Sequence, residues 1–274
     1  AVLGSVSYPN GDSTQPGYVS KQIPNPDLKW EANKTFNFGL DFGFFNNKLT
    51  GAMNYYYNQT EELLITKALP PSAGLNNPIL NVGKIRNSGV EVEINWADSK
   101  GGFDYNIGMN FSTTKNKVVE LADKGQVLYG EGLKYGTEHF PTQTRVGKPI
   151  GAFYLYKTNG LFQSNEEARQ YVNADGDEYQ PFADAGDIRY VDVNGDGYID
   201  DDDKVYCGSG IPTLEVNLNF SAGYKGFDLS VVLGSAWGHK IYNGNKYFYE
   251  GMNSGSNFLT SSLNAWTPQN TNTN

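Results

Sequence analysis

One cysteine, Cys207, and two histidines, His139 and His239, are all that 274 residues provide of these two types. A single thiol permits no internal disulfide, so a disulfide-stapled framework is excluded. A thiolate nucleophile would want a histidine beside it, and the spacing of Cys207, His139 and His239 marks no such pair. The two histidines also stand too far apart in sequence for a paired metal motif. Long apolar runs are missing as well. No stretch approaches the ~20 residues of a membrane helix, which excludes a helical membrane protein and leaves a strand-built one open. Positive charge is sparse: Lys and Arg total 21 against 30 Asp and Glu, the net charge is -9, and no cationic run occurs. Phosphate backbones need clustered cations, so nucleic acid is excluded as a partner.

What the chain has is aromatics and glycine, with 19 Tyr, 15 Phe and 32 Gly. They fall into strands. In the stretch 34–58, Phe36, Phe38, Leu40, Phe42 and Phe44 alternate with Thr35, Asn37, Gly39, Asp41 and Gly43, and the alternation resumes with Leu49, Met53, Tyr55 and Tyr57. Period two means a strand with one apolar face. Asn46 and Asn47 tolerate the positive φ of a primed two-residue turn, so the register predicts Phe44 opposite Leu49, Leu40 opposite Met53, Phe38 opposite Tyr55 and Phe36 opposite Tyr57. Two more hairpins follow the same plan. Val90, Val92, Ile94 and Trp96 turn through 97–102 into Phe103, Tyr105, Ile107, Met109 and Phe111, and Leu214 to Ala222 turns at Tyr224-Lys225-Gly226 into Phe227 to Leu233.

Short turns at one end and long connections at the other suit an outer-membrane barrel, with short periplasmic turns and long extracellular loops. The expected fold class is therefore all-β, part of a transmembrane antiparallel β-barrel. A soluble sandwich that packs these apolar faces against one another is the competing reading. On the barrel reading, 1–33 is an extracellular loop, 34–58 a hairpin, 59–87 an extracellular loop, 88–116 a hairpin, 117–211 a long loop region, 212–237 a hairpin and 238–274 an extracellular loop. Parity constrains the long region: both flanking hairpins have short turns, so it holds zero or an even number of crossings. Within it, 151–162 reads as a strand whose partner is either 142–146 or 187–191, and 164–172 reads as a short helix capped by Ser164. The chain opens and stops in loop-like runs, and reads as an internal piece of a longer protein.

One local motif is sharp. Residues 192–203 read DVNGDGYIDDDD, which puts Asp192, Asn194 and Asp196 at positions one, three and five of a twelve-residue calcium loop. Gly197 falls at the sharp turn, the Tyr198 carbonyl at seven, Asp200 at nine and Asp203 at twelve, with Ile199 as the apolar anchor at eight. Aspartate where such loops carry glutamate shortens the last arm. A structural Ca2+ that rigidifies a long loop is the expectation, and a solvated acidic loop is the alternative. The neighbouring Asp175-Gly176-Asp177-Glu178 lacks the spacing and reads as surface or as a source of one extra ligand. Enzyme templates fail: there is no nucleophile elbow and no phosphate loop, and Glu61-Glu62 or Glu91 with Glu93 read as loop and wall groups, not as glycosidase carboxylates. No enzymatic activity is expected.

Three blocks carry a family likeness: Leu28-Lys29-Trp30-Glu31, Gly83 with Asn87-Ser88-Gly89-Val90-Glu91, and Gly186-Asp187-Ile188 leading into the Asp192 loop. In this order they resemble the C-terminal barrel region of the SusC/RagA family of TonB-dependent outer-membrane transporters. The resemblance implies an importer of oligosaccharides or peptides in a Bacteroidetes-type outer membrane. It implies a plugged barrel of about 22 strands, of which this chain supplies roughly six to eight. It also implies a SusD-like surface lipoprotein as lid, TonB engaged through an N-terminal region outside this chain, and contact with outer-membrane lipid. Asn37, Asp41, Asn54, Glu91, Glu93, Asn95, Asn106 and Asn110 would then line a wet wall, and Tyr129, Tyr135 and Tyr154 would be candidate sugar platforms. The alternative function is a secreted, soluble, calcium-stabilised β protein that binds carbohydrate or a host surface.

Overall fold

A computed structural model describes residues 2–11, 13–67, 71–130, 141–251 and 257–273. In chain order the strands are β1 (Val2–Asn10), β2 (Ser13–Gln22), β3 (Ala32–Phe44), β4 (Leu49–Thr66), β5 (Ile79–Lys100), β6 (Phe103–Thr113), β7 (Lys115–Glu120) and β8 (Leu128–Tyr129). They continue as β9 (Thr142–Thr144), β10 (Ala152–Tyr156), β11 (Thr158–Leu161), β12 (Ile188–Tyr190), β13 (Lys204–Gly208), β14 (Leu214–Tyr224) and β15 (Phe227–Trp237). Two short helices are α1 (Asn165–Gln170) and α2 (Gly244–Tyr249). The chain forms two compact units. One comprises Ala1–Tyr129, Thr144–Gly151 and Ile211–His239, and the other Gly130–Gln143, Ala152–Gly210 and Lys240–Asn274.

The first unit is built on an antiparallel sheet of order β15-β14-β6-β5-β4-β3, with β7 also pairing β5. Short turns join the hairpins. The first spans four residues, 45–48, in which Phe45, Asn46 and Asn47 all have positive φ, one residue pair longer than the expected Asn46-Asn47 turn. The other two are two-residue turns with positive φ at Gly101 and Gly102 and at Lys225 and Gly226. That is the twist a tight hairpin needs, and the Lys48 amide closes the first turn on the Phe45 carbonyl at 3.3 Å. The second turn is shorter than the expected 97–102, because β5 runs on to Lys100. The register is the expected one, with Phe44 opposite Leu49, Leu40 opposite Met53, Phe38 opposite Tyr55 and Phe36 opposite Tyr57.

Carried across the sheet, this register sorts the side chains. Phe44, Leu49, Trp96, Ile107, Phe220 and Val231 form one row, and Leu40, Met53, Val92, Phe111 and Val216 another. The opposite face carries Asp41, Glu93, Asn110 and Asn217 in a single row. The apolar face is open: Phe38 is 66% exposed, Leu40 58% and Leu233 59%. Burying a side chain of this size is worth about 1.5–3 kcal/mol, so a soluble sandwich would cover such a face. Among the described residues no second sheet covers this face, as the competing sandwich reading required.

The loop boundaries differ from those expected. The segment 1–33 is not loop throughout, because Val2–Asn10 and Ser13–Gln22 form an antiparallel ribbon. The turn-rich run that opens the chain read as loop, yet each strand of a two-stranded ribbon has one partner only, so proline is tolerated on its outer side. Nor is 59–87 all loop. β4 extends to Thr66 and β5 starts at Ile79, with the ladder shifting register between Thr60 and Leu64, where Glu62 takes a φ of 58°. A bulge there flips the side-chain alternation, which hid the strand from a period-two reading. At the other end, 238–274 contains α2 and a 3-10 turn at Thr260–Asn264.

The long connection is settled by one pairing. β6 bonds β14 over eleven residues, from Thr113 opposite Leu214 to Phe103 opposite Tyr224. The segment between them therefore contributes no strand between β6 and β14. Much of it forms the second unit, in which both expected partners of 151–162 are used: β10 pairs β9, and β11 pairs β12. The helix is α1, whose cap Ser164 accepts the Glu167 amide at 3.1 Å. Phe162, Ala168, Ala183 and Tyr171 form a small core beside it.

Candidate functional site

The polar face of β3–β6, β14 and β15 brings together the wall residues expected from sequence. Asn37, Asp41, Asn54, Glu91, Glu93, Asn95, Asn106 and Asn110 all lie on it by register. Glycines on one strand let amides of the next lie flat. A Cβ on Gly39 would come 2.4 Å from the Asn54 side-chain oxygen, and one on Gly108 would come 2.1 Å from that of Asn219. Asn217 donates its side-chain amide to Asn110 at 2.9 Å, and the Tyr56 hydroxyl bonds the Thr113 carbonyl and the Thr114 hydroxyl at 3.1 Å each. Asn217, Asn219 and Tyr56 were missed as wall residues. Alternation along β14 carried the signal for the two asparagines, and Tyr56 was masked by its aromatic neighbours Tyr55 and Tyr57. The result is a wall of amides and carboxylates, chemistry suited to hydrated, hydrogen-bonding solutes.

The calcium-type loop closes on its own backbone. Asp192 accepts the Gly195 and Gly197 amides at 2.6 and 2.9 Å, Asn194 accepts the Asp196 amide at 2.8 Å, and Asp196 accepts the Tyr198 amide at 3.0 Å. Asp200 caps the turn Asp201–Asp203. Asp203 is fully buried and accepts the Val193 and Asp200 amides at 2.7 and 2.9 Å. No lysine or arginine among the described residues pairs with Asp203. Neither do three His, Cys, Asp or Glu side chains among the described residues gather into a metal-holding group. Burial works against the Asp192 charge, but the Gly197 and Gly195 amides and the Tyr179 hydroxyl outweigh it and hold the carboxyl below its ordinary range. Tyr179 is raised by burial and by Asp192 in turn. Tyr179 and Asn173 were missed; Asn173 donates to the Gly197 carbonyl at 3.1 Å and accepts the Asp175 and Asp177 amides. Glu178 is taken up by Arg169 at 3.0 Å.

Of the aromatic platforms, Tyr154 is 5% exposed and packs edge-on against Tyr206, so its face is not available. Tyr129 is 40% exposed. Tyr135 and His139 lie outside the described residues. Cys207 is exposed and hydrogen-bonds the Val205 carbonyl. No helix among the described residues is long and apolar enough to cross a membrane, which says nothing of crossing by strands.

The family profile described as "TonB dependent receptor-like, beta-barrel" matches residues 4–267. The chain belongs to that family. Among curated relatives, TonB-dependent receptor P3 of Formosa agariphila is 31% identical over 275 residues, covering 100% of this chain and 27% of the relative. TonB-dependent receptor SusC of Bacteroides thetaiotaomicron is 27% identical, covering 93% of this chain and 24% of SusC. The chain thus spans about a quarter of the length of these relatives. Its backbone is similar to a solved chain of the RagAB peptide transporter, with a TM-score of 0.71 and 23% identity over 100% of this chain and 28% of that one. Barrels of this family reside in the outer membrane, and an open apolar face such as that of β3–β6, β14 and β15 is what a barrel wall presents there.

Proposed function

We propose that this chain forms a section of the wall and outer loops of a TonB-dependent importer that carries oligosaccharides or peptides across the outer membrane. The observation that carries the reading is the two-faced sheet, apolar toward lipid and amide-lined on the inside. A SusD-like surface lipoprotein is the proposed partner at the loop end, and TonB is proposed to act through a region of the full-length protein outside these residues. SusC and RagAB among the similar proteins support this choice of partners. Glycans and peptides both present dense donors and acceptors, which a wall of asparagines matches. The test uses the full-length protein, extracted in detergent from native membranes. A surface lipoprotein should co-purify in equal amount with oligosaccharide or peptide trapped between the two; full-length protein that purifies alone, with no ligand, overturns the reading.

We further propose Ca2+ on Asp192, Asn194, Asp196, Asp200 and Asp203 and on the Tyr198 carbonyl. The donor set is all oxygen, as a hard cation requires, and the buried Asp203 charge has no other cation among the described residues. The ion would offset repulsion among the four aspartates and stiffen the loop.

A further inference from the structure

Although the sequence contains no cationic run, the fold assembles one on the lipid side. Lys34, Gln59, Arg86 and Lys117 share a row, and Ser88 faces Lys115 one step below. By alternation along their strands these residues lie on the face of Phe36, Phe38, Tyr55, Tyr57 and Val90, at the end of the sheet away from the short hairpin turns. From Phe44 to Phe36 the apolar face runs about 26 Å along the strand, the order of a bilayer's hydrocarbon thickness. The cations therefore sit where that face ends, directly above the aromatic residues.

Three details separate this patch from an ordinary solvated rim. The Arg86 guanidinium lies over the Tyr57 ring, 5.1 Å from its centroid, and is tethered to Gln59 at 3.3 Å, while its buried Nε has no partner among the described residues. Lys117 stands directly opposite Arg86 across the β5–β7 ladder, a like-charge pairing that destabilises a sheet unless an anion lies between. The carboxylates present are already engaged: Glu61 by Lys34 and Lys84, Glu120 by Lys84. Lys115 and Lys117 are exposed and have no carboxylate partner among the described residues. A local excess of positive charge thus occurs in a chain of net charge -9.

We propose that Arg86, Lys115 and Lys117 bind the phosphate-bearing headgroup of an outer-leaflet glycolipid whose acyl chains lie on the apolar face below. A planar guanidinium seated over the Tyr57 ring suits bidentate phosphate recognition, and the two lysines complete the charge. The assignment rests on the barrel's place in the outer membrane and stands or falls separately from the importer reading.

The test is native mass spectrometry of the full-length protein loaded with bis-phosphorylated lipid A in mild detergent. Wild type should retain lipid A, and Arg86→Gln with Lys117→Gln should lower retention about 25-fold, at roughly fivefold for each cation removed. Lys225→Gln, at the turn end, should change nothing. Equal retention by wild type and the double variant overturns the proposal. Wild type alone supplies a second readout: lipid A stripped of its phosphates should bind at least tenfold more weakly. Equal binding of the stripped lipid overturns the headgroup assignment, and so does full displacement by millimolar inorganic phosphate, which would mark a site for free anions. Co-purification of the partner lipoprotein should be unaffected in every variant.

Discussion

Asn217 on β14 donates its side-chain amide to Asn110 on β6 at 2.9 Å, joining two residues 107 apart in sequence. The bond lies on the polar face at the junction where the chain returns to the sheet after the long connection. The return is affordable in entropy, because the cost of closing a loop grows only with the logarithm of its length.

Removing either partner should weaken that junction modestly. Asn110→Ala and Asn217→Ala are each expected to cost about 0.5–1.5 kcal/mol of barrel stability. The double variant should cost less than the sum, since both act on one bond. Reversible unfolding of the full-length barrel in lipid reads out the three values; strict additivity would mean the bond does not form.

Glycines on the polar face should differ in what they tolerate. A Cβ on Gly89 would come 1.8 Å from the Thr113 carbonyl, which belongs to backbone, whereas one on Gly39 meets only the tip of Asn54. Gly89→Ala should therefore cost about 1–3 kcal/mol, while Gly39→Ala should stay below about 1 kcal/mol because a side chain can swing away. Heat-dependent gel migration of the two variants ranks them.

Charge should be tolerated on one face only. Leu40→Lys, in the middle of the apolar face, should cost about 2–4 kcal/mol, and Asn95→Lys on the polar face much less. Folded yield in lipid vesicles is the readout. Equal yields would place both residues on the same side of the membrane wall.

Acid and chelation should both act on the 192–203 loop. Asp192 has its pKa lowered in the fold, so it contributes stability above the unfolded carboxylate value near 3.9, and that contribution is lost as pH falls through the lower folded value. Hydrogen exchange of the Gly195 and Gly197 amides should accelerate over that range, and less so in Asp192→Asn. If Ca2+ occupies the loop, chelation at neutral pH should accelerate the same amides, and Asp203→Asn should abolish the response to added Ca2+.

Much of the sheet was legible because alternation and turn chemistry agreed. Phe36 to Phe44 against Leu49 to Tyr57 admits one register that keeps the aromatics together, and Asn46-Asn47 supplies the turn that fixes it. Legibility failed where a local irregularity changed the period. The bulge at Glu62 hid the upper halves of β4 and β5, and the loop-like composition of the opening run disguised the first ribbon. In the 192–203 loop the sequence marked the acidic side chains that bond its backbone but not Asn173 or Tyr179, which reach it through folding of the 171–179 turn.

By itself, then, the sequence determined the hairpins, their registers and the two-faced character of the wall. These are short-range properties, set by side-chain alternation and by backbone preferences within a few residues. The tertiary structure alone decided that β14 pairs β6, that Asn217 meets Asn110, and that Lys34, Arg86, Lys115 and Lys117 converge above the aromatics of the lipid-facing side. Those relationships join strands whose spacing in sequence has no period, and pairing across the sheet creates them.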